Sequence, residues 1–172
     1  LTLPDFRSAE RTFSLVTQLA GRAGRGDQPG RVLVQTRHME HFVFRLLADA
    51  DRSPTAFYEK EARQRQILSI PPFARLVLVR VEGANRTASF QHARELADKL
   101  RAQTNSQQDG IRIFGPTAAP ISKMVGRWRF QIVIRGFRSS EFRTWLQSSI
   151  PNTVRPKSAV RVSIDVDPRS LL

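Results

Sequence analysis

Apolar positions recur along this chain with two different periods, and the change from one to the other divides it. In Ser8 to Ala20 they fall at Ala9, Phe13, Val16 and Ala20, one face of a helix. Asp27-Gln28-Pro29-Gly30 is turn chemistry, and Arg31-Val32-Leu33-Val34-Gln35-Thr36 then reads as a short apolar strand of the kind buried in a parallel sheet. Phe42, Arg45, Leu46 and Asp49 share a helix. Asp51-Arg52-Ser53-Pro54 breaks it and caps the next, with proline at a first-turn position. That helix, Thr55 to Leu68, is crowded with Glu59, Lys60, Glu61, Arg63 and Arg65, as expected of a solvated connecting helix with i,i+4 pairs. Ile70-Pro71-Pro72-Phe73 cannot continue it and must be extended. A domain boundary is expected there.

Beyond it the strand period takes over. Leu76 to Val81 is apolar on both faces, which predicts a central strand. Glu82-Gly83-Ala84-Asn85 turns the chain. Phe90, Ala93, Leu96, Ala97 and Leu100 mark a helix face, and Gln103 to Gly110 is a polar loop. Ile111 to Phe114 and Ala118 to Met124 form a second strand interrupted by Gly115-Pro116, and Trp128 to Arg135 a third. Phe142, Trp145, Leu146 and Ile150 place another helix, and Val160 to Val166 alternates as the fourth strand. The expected fold class is α+β, with residues 74–172 in the order βαββαβ, the split βαβ or ferredoxin-like plan.

The third strand carries the most chemistry. Arg127, Arg129, Gln131, Val133 and Arg135 share one face, and Trp128, Phe130, Ile132 and Ile134 the other. Trp128 and Phe130 have two readings, as stacking platforms for unpaired bases or as core under the helices. Their phase with Ile132 and Ile134 favours the core, because a strand cannot switch faces without a bulge. The arginines are then left on an open face. Lys123, Arg112 and Arg161, on neighbouring strands, extend a basic patch.

Charge supports that patch. Residues 1–70 hold 11 Lys+Arg and 8 Asp+Glu, a balance of +3; residues 71–172 hold 17 and 7, a balance of +10, and together these give the +13 of the whole chain. A basic excess concentrated in one half points to a polyanionic partner for it, with Lys123, Arg127, Arg129 and Arg135 as leading phosphate contacts. No helix has the Lys-rich polar face and bulky apolar face of a membrane-surface anchor, no apolar run approaches a bilayer span, and no signal peptide is evident, so a membrane partner is not expected. The absence of cysteine is consistent with a cytoplasmic location and argues against a zinc site in this chain. His38 and His41, at i,i+3 with no further candidate nearby, read as a solvated helix start rather than metal ligands. Asp165 and Asp167 read as edge or turn residues, and no G-x-S-x-G points to a serine hydrolase.

Directly behind the first helix stands Gln18-Leu19-Ala20-Gly21-Arg22-Ala23-Gly24-Arg25-Gly26. Arginine offers a permanent charge and a planar fork matched to phosphate oxygens, and glycine lets backbone approach a ligand closely. The pattern Q-x-x-G-R-x-G-R resembles the last conserved motif of superfamily 2 helicases. Gly-Arg strings also occur in flexible basic segments that contact nucleic acid, but the amphipathic helix running up to this one sets it apart. Leu3-Pro4-Asp5-Phe6-Arg7, Ile70-Pro71-Pro72-Phe73, Gly126-Arg127-Trp128-Arg129-Phe130-Gln131 and Val166-Asp167-Pro168 follow in an order that resembles the C-terminal part of the PriA-type primosomal replication-restart DNA helicases, over essentially the whole chain. Ile70 stands where that family often has tyrosine.

The resemblance implies that residues 1–37 are the C-terminal end of a second RecA-like helicase lobe, 38–73 a helical connector, and 74–172 a basic C-terminal domain with a ribosomal-protein-like fold. It implies an ATP-dependent helicase that binds branched DNA and restarts stalled replication by primosome assembly. Arg25 and Arg22 would serve as catalytic arginines on the γ-phosphate, and Gln18, Gly21, Arg22 and Arg25 would contact ATP. No G-x-x-x-x-G-K-[ST] loop occurs here, so ATP and Mg belong to the full-length protein, the family's cysteine-held zinc belongs to a segment absent from this chain, and the chain alone is expected to be an inactive fragment. The family's partners are DNA, other primosome proteins and the acidic, phenylalanine-ended tail of the single-stranded-DNA-binding protein, for which Arg138 is the candidate contact. The alternative is a stand-alone nucleic-acid-binding module with a ribosomal-protein-like fold and no motor.

Overall fold

The computed structural model describes residues 5–23, 30–49, 53–104, 110–137, 140–153 and 159–171, the side chains of the last three helical residues, 151–153, excepted. It divides the chain into two units, Leu1–Leu68 and Ser69–Leu172. In the first, the amphipathic stretch forms α1 (Ser8–Ala23). α1 runs one turn past Ala20, through Gly21, because Ala20, Arg22 and Ala23 are good helix formers that offset the ~1 kcal/mol cost of one glycine. α2 (Phe42–Ala48) starts at His41, whose Nδ1 accepts the Val43 N–H at 3.3 Å. α3 (Pro54–Ile67) starts at Ser53, whose hydroxyl accepts the Ala56 N–H, with Pro54 in the first turn. Ala9, Phe13, Val43, Leu46 and Phe57 make a small core, with the Phe13 and Phe57 rings stacked at 4.2 Å.

Two expectations are corrected in this unit. α3 is not simply solvated. Glu61 is buried, and Arg65 bridges it at 2.8 Å to Glu10 of α1 at 3.0 Å. Nor do residues 31–36 form a strand; the segment pairs with nothing among the described residues, and Leu33 is 96% exposed. The apolar pattern that suits a buried strand is there, but a strand exists only where a neighbour accepts its ladder.

The second unit follows the order β1 (Ala74–Gly83), α4 (Arg86–Ala102), β2 (Arg112–Met124), β3 (Arg127–Phe137), α5 (Ser140–Thr153), β4 (Val160–Val166). Its four strands form one antiparallel sheet in the order β2-β3-β1-β4. The sequence order βαββαβ therefore stands as expected, with β1 and β3 in the middle of the sheet. Asn85 caps α4 through its side-chain oxygen on the Ala88 N–H at 2.9 Å.

The core lies between one face of the sheet and the two helices. Val77, Val79 and Val81 of β1 and Phe130, Ile132 and Ile134 of β3 meet Ala93, Leu96, Ala97 and Leu100 of α4 and Phe142 and Trp145 of α5. Trp128 is half-buried against this cluster, so Trp128 and Phe130 both face the helices and neither is a platform on the open face. Phe90, expected on the buried side of α4, is 41% exposed and touches the core through Phe130, with ring centroids 5.2 Å apart. The Trp145 indole donates to the Gln103 carbonyl at 3.1 Å, joining α5 to the end of α4.

At Gly136 the α5 ring of Phe142 lies where a Cβ would be. Phe142 is 2% exposed and held on all sides. Gly136→Ala should therefore cost about 1–3 kcal/mol by overpacking, read as a lower midpoint in thermal or urea unfolding. Gly21→Ala, which meets nothing within 4 Å on α1, should leave the midpoint unchanged or raise it, by at most ~1 kcal/mol.

Candidate nucleic-acid interface

The register of β1, β2 and β3 sorts their polar side chains between two faces. Away from the helices, Glu82 stands opposite Arg129, Arg80 opposite Gln131, Leu76 opposite Arg135, and Arg112 opposite Arg135 on its other side. Directly opposed residues project to the same side. Arg127, Arg129 and Arg135 thus share a face, as their spacing predicts, but with different surroundings. Arg129 is 7% exposed, and its Nε donates to Glu82 Oε1 at 2.9 Å. It does not stand free on an open face. The pair joins residues 47 positions apart, and no strand-by-strand reading of alternation reveals it. Arg127 is exposed beside the β2–β3 turn. Arg135 is half-buried, its guanidinium 5.4 Å from the centre of the half-exposed Phe114 ring.

Lys123 belongs to the other face. It pairs in register with Trp128, and its ammonium lies 5.1 Å from that indole. Arg86, the first residue of α4, brings its guanidinium to 5.2 Å from the same ring. The indole thus carries two cations, an arrangement its electron-rich face favours. The face-sharing patch of Lys123 with the β3 arginines does not form, because β2 is irregular. Between Ala118 and Lys123 it advances five residues while β3 moves only from Phe130 to Trp128. That shift breaks simple parity between the strands.

The same irregular stretch ends in a two-residue turn at Val125 and Gly126, with φ of 47° and 73°. Both angles are positive, as in the primed turns that suit the twist of a hairpin. Glycine adopts such angles without strain; a β-branched residue does so at a cost of ~1–3 kcal/mol. Val125 is 92% exposed, its neighbour Met124 48%, and Ile121 in the irregular stretch of β2 54%. From Ile111 to Glu141 the first acidic residue is Glu141 itself, while Arg112, Lys123, Arg127, Arg129, Arg135 and Arg138 all fall in that stretch. Among the described residues no carboxylate pairs with Lys123 or Arg127. The β2–β3 hairpin is thus cationic throughout and apolar at its tip. The sequence reading found its charge but missed Arg86, Phe114, Met124 and Val125. Arg86 sits on a helix, Phe114 and Met124 read as ordinary strand residues, and nothing in the string marks the backbone angle of Val125.

In the other unit, Gln18, Gly21 and Arg22 are exposed on the last turns of α1. Gln18 and Arg22 are four apart and so share a helix face. Arg25 and Arg138 lie outside the described residues. His38 and His41 belong to no group of three or more His, Cys, Asp or Glu fit to hold a metal, among the described residues. His41 is engaged in capping, and burial lowers its pKa below the ordinary 6.5. Among those residues, no helix is long and apolar enough to cross a membrane.

Residues 66–169 match the sequence profile of the primosomal protein N C-terminal domain. The whole chain is 34% identical over 174 residues to a replication restart protein PriA from Bacillus subtilis, covering 100% of this chain and 21% of that protein. A protein of the same name from Synechocystis is 33% identical over 99% of this chain and 20% of its own length. Another, from Treponema pallidum, is 34% identical over 100% and 25%. In each the match falls in the C-terminal part, so the chain spans a fifth to a quarter of the curated relatives it matches.

The two arginines flanking Trp128 should separate cleanly by mutation. Arg129→Ala strands Glu82, which is itself mostly buried, and should cost about 3 kcal/mol of stability. Arg127→Ala should change stability by no more than ~0.5 kcal/mol, as exposed substitutions usually do. Urea titrations of both variants measure the contrast.

Proposed function

The chain belongs to the family of the primosomal protein N C-terminal domain, and from that premise we propose that it is the C-terminal portion of a DNA helicase that restarts stalled replication. The observation that carries the proposal is the acid-free β2–β3 hairpin, exposed at Lys123 and Arg127, in a unit whose sequence holds most of the chain's excess positive charge. Phosphates are the ligand such a surface fits. Arg127 and Arg135 would hold a DNA backbone on one face, and Lys123 with Arg86 on the other. Arg129 contributes by fixing β1 to β3 rather than by touching DNA.

The proposal extends to nucleotide. Residues 1–37 would close the second RecA-like lobe. Arg22 and Arg25 would then reach the γ-phosphate of an ATP held by the rest of the protein, and Gln18 and Gly21 would line the same edge. The fit rests on the exposed face that Gln18 and Arg22 share. ATP would supply the free energy of phosphoryl transfer, and the arginines would stabilise the charge that develops on the moving group. Magnesium and zinc would be bound outside this chain. The partner set would be branched DNA, primosome proteins and the tail of the single-stranded-DNA-binding protein, with Arg138 as the candidate contact for that tail's carboxylates. The site of action would be the cytoplasm.

Two measurements test these assignments. Affinity for duplex DNA should fall steeply with salt, and replacing Arg127 and Arg135 by Ala should flatten the log–log slope by roughly 0.9 for each phosphate no longer neutralised. A slope that the double variant leaves unchanged removes both residues from the interface. In the intact protein, Arg25→Ala should lower the ATP hydrolysis rate by about 10³-fold or more while DNA affinity stays within about twofold. Near-normal turnover would discard the finger.

A further inference from the structure

Val125 combines two properties that nothing among the described residues accounts for. It is a β-branched residue at φ 47°, where glycine or asparagine is favoured, and it is 92% exposed. A strained side chain that packed against its own fold would recover the strain as burial. Among the described residues this one recovers nothing, which makes the tip a candidate contact for a partner. Met124, next to it in the chain and 48% exposed, adds apolar surface at the turn. Arg127 directly follows the turn, paired with Met124, and Lys123 stands one position further back on the other strand, paired with Trp128 and on the opposite face; no acidic residue occurs on the hairpin.

An apolar point set in a collar of cations fits a partner that offers a flat apolar surface edged by anions. The terminal base pair at a DNA branch point is such a surface. Its outer face is unstacked and apolar, and the phosphates of the diverging strands lie to either side. Apolar side chains already serve as wedges between base steps in proteins that kink duplexes, but inside a continuous duplex each insertion must first unstack a step. At a branch point the stack is already open. We propose that Val125 and Met124, at the tip of the β2–β3 hairpin, cap the last base pair at a DNA branch point while Lys123 and Arg127 hold the phosphates of the two diverging strands. This rests on the reading of the chain as a DNA-binding part of a restart helicase, and it adds the element that distinguishes a branch point from plain duplex.

The test compares two DNAs of equal length, a continuous duplex and a fork with 2-aminopurine in the base pair at the junction. The protein is wild type, Met124→Ser/Val125→Ser, or Val125→Gly, all in the intact protein without nucleotide. Val125→Gly relieves the backbone and should keep or raise the melting temperature, so lost selectivity in that variant cannot be a folding defect. Wild type should favour the fork by roughly tenfold, about what covering a valine-sized side chain contributes, and should change the 2-aminopurine emission. Both variants should bring the fork-to-duplex ratio near unity and abolish the emission change, with duplex affinity and salt slope intact. Variants that keep the ratio and the emission change overturn the proposal. A wild type that binds fork and duplex equally, with a steep salt slope, also overturns it, yet leaves the phosphate reading standing. A wild type that binds neither DNA removes the underlying reading and the cap with it. Binding to phosphatidylserine-containing vesicles that the double variant loses, while its fork preference persists, reassigns the tip to a lipid surface and overturns the cap.

Discussion

Everything in the second unit depends on the antiparallel register of β1 against β3. Val79 opposes Ile132 and Val81 opposes Phe130, which aligns the apolar halves of both strands under α4 and α5. The same register sets Glu82 against Arg129 on the opposite side. A slip of one residue would expose the valines and bury the arginines unpaired, so the hydrophobic face and the ion pair specify one arrangement twice over. Cations therefore stand at both ends of β3, at Arg127 and Arg135, while its middle is committed to holding the sheet together.

Most of this unit was readable from the string. A continuous apolar run marked β1, short apolar segments marked β2, and period-two alternation marked β3 and β4, and the phase of Trp128 and Phe130 with Ile132 and Ile134 gave their burial. Ser53-Pro54 announced the start of α3 because capping chemistry is local. What escaped depends on partners distant in sequence. Arg129 looks free until β1 is laid beside it. Lys123 looks coplanar with the β3 arginines until the irregularity of β2 moves it across the sheet. Arg31 to Thr36 has the composition of a buried strand, but composition does not provide the neighbouring strand that its backbone groups require.

The first unit shows how small a core can still direct surface chemistry. Its aromatic stack of Phe13 on Phe57 ties α1 to α3, and the Glu10–Arg65–Glu61 bridge ties them again at the rim. With α1 fixed in this way, the exposed turn carrying Gln18 and Arg22 is presented from a helix rather than from a loose segment. Side chains four apart on a helix hold a common direction, whereas the same residues in a flexible string would not. The isolated Gly-Arg pattern carries no such orientation.

The cap of α2 makes that unit sensitive to acid. His41 accepts the Val43 N–H through Nδ1, and a nitrogen that accepts cannot also carry a proton. Burial lowers the His41 pKa below 6.5, which means that folding favours the neutral ring. The cap's contribution is complete above the ordinary histidine value and is lost as pH falls through the lowered one. Acidification would therefore remove this cap from the first turn of α2.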